Sequence, residues 1–377
     1  MTRRIRLGMV GGGNDAFIGG VHRIAARLDD RYELVAGALS ATPEKARASG
    51  AALGLDPARS YDDFTAMAKR EARLKDGIEA VAVVTPNHVH YAAAREFLKR
   101  GIHVICDKPL TATLADARKL VKAVERADAL FVLTHNYTGY PMVRQARDMV
   151  ARGALGRIRV IQVEYPQDWL TTAMEREGLK QAEWRTDPER SGAGGCVGDI
   201  GTHAYNLAGF VTGLRAESLA ADLQSFVEGR RLDDNAHVML RYADGARGLL
   251  WSSQVAPGNE NALRLRVYGE AGGLEWAQED PNLLWHTPHG EPKRLLTRGG
   301  AGFTETTGAR IPPGHPEGYL EGFANIYAQA ADLIEAHREG AAPDHLLPTV
   351  HDGLDGVRFV DACVRSSKRD AAWVSLR

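Results

Sequence analysis

Short runs of apolar residues, spaced by stretches in which apolar residues recur every three or four positions, set the rhythm of the first third of the chain. Ile5–Val10, Tyr32–Ala38, Ile78–Val84, Ile102–Cys106 and Ala129–Thr134 are apolar almost throughout. The intervening TPEKARASGAALG and HYAAAREFLKRG carry apolar residues at helical spacing and close on glycine. Strands buried on both faces and alternating with helices predict a doubly wound parallel α/β sheet over residues 1–135. From about Arg157 the pattern lengthens into IRVIQVEY, SLAADLQSFV, NAHVMLRYADGARGLLWSSQV, LRLRVYGEAGGLEWAQ and NLLWHT, with ADG and EAGG as hairpin turns. Residues 136–350 are therefore expected to form a C-terminal α+β domain around a large, mostly antiparallel open sheet. In that sheet His237, Met239 and Arg241 share one face, as do Trp251 and Ser253. A last helix within 351–377 is expected to pack on the body of the protein. Two long stretches lack periodicity, Pro166–Gly195 and Thr287–His315, and are expected to border the site and decide its substrate.

Composition narrows the partners. The chain has 377 residues and a formal net charge of -1, which gives no electrostatic case for nucleic acid or an anionic membrane. No window approaches the roughly 18 apolar residues of a membrane span, and the start, MTRRIRLGMVGGG, lacks a long apolar leader. Cys106, Cys196 and Cys363 show no CxxC spacing and read as unpaired, as in a reducing cytosol. A soluble, cytoplasmic protein is expected.

The candidate chemistry clusters where strands end. Gly11, Gly12 and Gly13 follow the first strand, where a chain turning into a helix must let a pyrophosphate approach its amides. Phe17 and Ile18, just beyond, are counted with the cofactor contacts. The third glycine of such a turn falls on Ala16, with Gly19 as the alternative after a longer loop. The second strand ends in Leu39 and Ser40, without the carboxylate that selects NAD, and Ser40, Thr42, Lys45 and Arg47 are groups a 2′-phosphate accepts. Lys45 and Arg47 read equally well as a solvated helix face. The cofactor is expected to be NAD or NADP.

Thr85, Pro86 and Asn87 end the third strand at its carboxyl edge, followed by His88 and His90; Asn87 reads either as a cofactor contact or as a helix cap. CDKPLT then places Asp107 and Lys108 at the same edge, with the lysine directed where a nicotinamide would lie. Hydride transfer from a secondary alcohol needs a base for the hydroxyl proton and a positive group for the developing alkoxide. Lys108 is the candidate cation. Asp199 and His203, four apart in GAGGCVGDIGTHAYNLAGF, are the candidate base pair, on one face if the segment is helical from Asp199. An N-capping aspartate with a core histidine is the alternative. No metal is expected, because no second cluster of ligands completes a zinc set.

These motifs together, the glycine turn, TPN at Thr85–Asn87, DKP at Asp107–Pro109 and Asp199-x3-His203, resemble the Gfo/Idh/MocA oxidoreductases, the group of glucose-fructose oxidoreductase and inositol dehydrogenases. The resemblance spans the chain. It implies an N-terminal Rossmann domain, a catalytic set of Lys108, Asp199 and His203, and a sugar, sugar derivative or cyclitol as substrate. Where the family usually has glutamate before the lysine, this chain has Asp107. The resemblance also puts His135, Asn136 and Tyr137 near nicotinamide or substrate, Trp184 and Arg185 on cofactor or substrate, and His315 at the mouth of the site. It further implies that the C-terminal sheet packs on a partner's sheet in a homodimer or homotetramer. Reduction of a C=N or C=C bond is the second enzymatic reading, and a non-catalytic dinucleotide-binding regulator the reading from another class.

Overall fold

The computed structural model describes residues 3–14, 16–300, 302–303 and 308–376. Two compact bodies divide the chain, one of residues up to Asn136 together with Tyr319–Leu354, the other of Tyr137–Gly318 together with Asp355 onward.

The first body is built on β1 (Ile5–Gly11), β2 (Tyr32–Ala38), β3 (Ala80–Val84), β4 (His103–Cys106) and β5 (Phe131–Leu133), in the order β2-β1-β3-β4-β5. Every neighbouring pair is parallel. Ala80–Val84 and His103–Cys106 are buried at every position, which is why these runs read as unbroken apolar stretches. A single parallel bridge, Gly37 to Ser60, extends the sheet beyond β2.

This body also holds a helix that the sequence reading assigned to the second domain. Phe323, Ile326 and Tyr327 of helix Tyr319–Arg338 share one core with Ile5, Leu7, Met9 and Val21. The Leu133 amide donates to the carbonyl of Pro348 at 3.0 Å. The helix carries apolar residues enough to pack in either domain, so its position along the chain misplaces it.

The second body carries a nine-stranded sheet of β6 (Ile158–Pro166), β7 (Ala216–Gln224), β8 (Asn235–Tyr242), β9 (Arg247–Ser253), β10 (Arg264–Gly269), β11 (Gly272–Ala277), β12 (Leu283–Pro288), β13 (Arg294–Thr297) and β14 (Val374–Ser375), ordered β13-β12-β11-β10-β6-β9-β8-β7-β14. All pairs are antiparallel except β6 with β9. Along β8 the alternation is strict: Ala236, Val238, Leu240 and Tyr242 are buried while His237, Met239 and Arg241 are exposed. The buried face packs with helices Pro141–Ala151 and Thr202–Thr212, and with Phe359, Ala362 and Cys363 of helix Val350–Ser367. The opposite face keeps an apolar stripe of Met239, Leu249, Val160, Tyr268, Trp285 and Leu295, all more than a third exposed. Cross-strand register links Met239 to Leu249, Val160 to Tyr268 and Trp285 to Leu295.

Candidate active site

In the first body the glycine turn is shaped for an anion. Gly11 and Gly12 hold φ of +77° and +69°, a conformation that favours glycine. The third glycine is Gly19, not Ala16: a Cβ on it would stand 2.4 Å from the Cα of Gly12. Helix Phe17–Leu28 opens at Ala16 with no side-chain capping bond, so its first amides remain for a phosphate. The residues present fit the pyrophosphate of a dinucleotide. Phe17 is 69% exposed at the helix start and Ile18 is half-buried. At the end of β2, Ser40 Oγ accepts the amide of Thr42 at 3.1 Å. Lys45 is exposed, and Arg47 pairs with Asp62 at 3.2 Å and Glu44 at 3.7 Å.

The turns after β3 and β4 are joined from behind. His90 is fully buried; its Nδ1 lies 2.8 Å from the carbonyl of Pro109 and its Nε2 2.8 Å from that of Thr85. Burial pulls its pKa down, while the charge of Asp107 and the carbonyls push it up. With both ring nitrogens engaged inside the fold, His90 ties the TPN turn to the DKP turn instead of facing a cofactor. Thr85 and Pro86 stand half-buried and Asn87 buried at this edge.

Asp107 accepts from Thr134 Oγ1 at 3.0 Å and lies 3.7 Å from His22 Nε2. Burial would raise its carboxyl, but His22, Lys108 and His90 hold it well below the usual carboxylate range. Lys108 is half-buried on the turn, ahead of a cis bond to Pro109. His135 and Asn136 are buried. Burial, with Lys108 adding to it, lowers the His135 pKa to about 4 against the opposing charges of Asp352 and Asp107. It is a neutral ring buried at the carboxyl end of β5.

In the second body the proposed base pair spans a change of helix type. Val197–Gly201 forms a π-turn and the α-helix begins at Thr202; the sequence spacing suggested a single α-helix from Asp199. π-turns recur at functional sites. Asp199 Oδ2 accepts from Arg185 Nε at 3.2 Å and from Gln254 Nε2 at 3.0 Å. The Arg185 guanidinium stacks over Trp184 at 4.3 Å, and Trp184 Nε1 donates to Gln181 Oε1 at 3.4 Å. Arg185, expected on the cofactor or substrate, thus acts on the aspartate.

His203 is 7% exposed. Tyr137 packs edge-on against its ring at 4.9 Å, and Tyr165 lies at 6.3 Å. Because Tyr165 donates its hydroxyl to Asn261 Oδ1 at 2.7 Å, the Tyr137 hydroxyl donates in turn to Tyr165. Burial raises the Tyr137 phenol to about 12 despite those hydrogen bonds. Tyr137, expected on the substrate, is turned inward and props the histidine. His315 is exposed, and Arg298 holds that stretch through the His315 carbonyl.

Sequence reasoning missed Gln254, Tyr165 and Asn261. For Gln254 the signal available was the polar run Ser252, Ser253, Gln254 directly after the apolar Leu249–Trp251. Among the described residues, no group of three or more His, Cys, Asp or Glu is placed to hold a metal ion, and no helix is long and apolar enough to cross a membrane.

A phosphate-shaped turn on a parallel sheet, with a fixed carboxylate leading into an imidazole on a separate body, defines an NAD-binding oxidoreductase. Residues 5–135 match the oxidoreductase family with an NAD-binding Rossmann fold, and residues 143–275 match the GFO/IDH/MocA C-terminal domain. The chain belongs to the GFO/IDH/MocA family. An oxidoreductase from Sinorhizobium meliloti has a similar structure, with 65% identity, a TM-score of 0.90, and 99% of this chain and 100% of that one covered. An inositol dehydrogenase homolog from Azotobacter vinelandii in complex with NAD+ shows 37% identity and a TM-score of 0.95 over 100% and 98% of the two chains. Its complex with NADH and myo-inositol gives 36% and 0.92 over the same shares. Levoglucosan dehydrogenase of Pseudarthrobacter phenanthrenivorans is 26% identical over 99% of this chain and 98% of its own length.

Proposed function

We propose that the chain is an NAD-dependent dehydrogenase of a secondary hydroxyl on a sugar, sugar derivative or cyclitol, and that it reduces the corresponding ketone in reverse. The observation that carries this reading is Asp199, fixed by one charged and one neutral donor, four residues before His203. Bound nicotinamide supplies the hydride acceptor. His203 takes the hydroxyl proton on a ring nitrogen. Asp199 stabilises the imidazolium so formed, and Arg185 and Gln254 hold its carboxylate in place. Lys108 offers its ammonium to the developing alkoxide.

Three further points belong to the proposal. The polyol class is supported by the inositol dehydrogenase homolog bound to myo-inositol and by levoglucosan dehydrogenase. NAD is favoured over NADP because Arg47 is engaged by Glu44 and Asp62 and the A. vinelandii homolog carries NAD+. The exposed apolar stripe of the large sheet is the surface for a second copy of the chain, in a homodimer or homotetramer. Three buried free cysteines suit a cytoplasmic setting.

The test is reduction of NAD and NADP, separately, by a panel of cyclitols, anhydrosugars and aldoses, with wild type and His203→Ala. Reduction by one class of hydroxyl compound, with NAD preferred and the rate reduced by about a thousand-fold in the variant, is expected. Tight cofactor binding without turnover of any alcohol or ketone overturns the reading in favour of an imine reductase or a regulator.

A further inference from the structure

The turn between β7 and β8 lies outside every motif described above, yet its last residues hold the segments that carry Asp199 and His203. Asp233 meets the start of the catalytic segment four times. Its carboxylate accepts from the amides of Gly195 at 2.6 Å and Val197 at 2.8 Å, and from the thiol of Cys196 at 3.1 Å. Its carbonyl accepts the Cys196 amide at 2.8 Å. A Cβ on Gly195 would stand 2.1 Å from that carbonyl oxygen, so the approach requires glycine.

The first amides of a helical segment have no acceptor within it. Here an aspartate from a distant turn does the work of an N-cap residue, at the entry to the π-turn that contains Asp199. The next residue holds the neighbouring loop. Asp234 accepts from Arg230 Nη1 at 3.1 Å, and Arg230 also reaches Glu175 and the carbonyls of Leu170 and Thr172. Gln254 closes the arrangement: its amide donates to the Asp234 carbonyl at 2.8 Å, its carbonyl accepts from Leu170 at 3.0 Å, and its side chain reaches Asp199.

We propose that Asp233 is a positioning residue for the Asp199–His203 pair, setting where the π-turn begins and hence where both side chains stand. The kinetic part of the test rests on the dehydrogenase reading; the spectroscopic part does not. Asp233→Asn keeps the shape but exchanges one acceptor oxygen for a donor that faces an N–H or S–H. The segment start must then shift.

The experiment compares wild type and Asp233→Asn by steady-state kinetics and by NMR titration of the His203 imidazole without substrate, its signal assigned by its loss in His203→Asn. Expected are a fall in kcat of about ten- to a hundred-fold with KM for NAD unchanged, and a displaced His203 titration midpoint. An unmoved His203 titration in a folded Asp233→Asn overturns the proposal. Should that variant fail to fold, Cys196→Ala removes a single donor. It is expected to lower kcat by about two- to five-fold and to displace the His203 titration in the same sense, with Cys196→Ser restoring both; wild-type behaviour of Cys196→Ala overturns the proposal. If wild type itself oxidises no hydroxyl compound, the dehydrogenase reading falls, and the His203 titration alone decides the role of Asp233.

Discussion

Gln254 Nε2 stands 3.0 Å from Oδ2 of Asp199 across a sequence separation of 55 residues. With Arg185 on the same oxygen, the proposed mechanism has this amide set how much negative charge the aspartate offers the imidazole. Gln254→Glu places a second carboxylate there and is expected to raise the pKa of His203. The acid limb of the kcat–pH profile should then move to higher pH, with kcat at neutral pH reduced at least about ten-fold. Gln254→Leu, which removes a donor without adding charge, should leave the limb nearer its wild-type position.

Arg230 is buried between Glu175 and Asp234. Arg230→Met removes one cation and leaves two carboxylates facing each other, a loss of about 3–5 kcal/mol. A lowered thermal midpoint is expected, together with faster amide exchange in residues 168–176. Wild-type exchange in that stretch would show that the arginine does not hold the loop.

Gly19 lies against Gly12 too closely for any side chain. Gly19→Ala is therefore expected to displace the phosphate turn and weaken NAD binding at least about ten-fold. Calorimetric titration with NAD measures this directly.

The pKa of His135 falls from 6.5 to about 4 on burial. The unfolded chain then binds more protons than the folded one between those values, so the buried ring costs nothing above pH 6.5 and destabilises the fold progressively as pH falls toward 4. His135→Asn should flatten the dependence of unfolding free energy on pH in this window by up to about 3 kcal/mol. His103, also lowered to about 4 mainly by burial, keeps a residual slope in the variant.

Leu249 is 50% exposed and Met239 47% exposed, opposite one another on the bare face of the large sheet. For the proposed assembly through this face, Leu249→Arg should leave only monomer in analytical ultracentrifugation where wild type sediments as a dimer or tetramer, while the circular dichroism spectrum stays unchanged; a wild type that is itself monomeric overturns the assembly.

Much of this architecture was legible in the sequence where a single short segment contains the whole cause. Ala80–Val84 is apolar at each position because both faces of its strand are covered, and β8 alternates because one face is not. The DKP turn and the Asp199-x3-His203 spacing likewise sit within a few residues. What escaped depends on contacts between distant parts of the chain. Helix Tyr319–Arg338 has no local mark of the core it joins. Strand β13 is short and three of its four residues are exposed, so no alternation announces it. Arg185, Gln254 and Asp233 bond to the Gly195–Asp199 segment from three separate places, and only the assembled fold shows that they converge.

The amide of Gly13 donates to the carbonyl of Leu39 at 3.2 Å, and that of Asn14 to Ser49 Oγ at 3.1 Å. The glycine turn is thus fastened both to Leu39, which follows β2, and to Ser49 on the helix after it, next to the strand end from which a ribose is recognised in dinucleotide folds. Swapping cofactor preference by substitution around Ser40 would therefore disturb the phosphate turn as well. An engineered change of cofactor preference has to redesign the strand end and the glycine turn together.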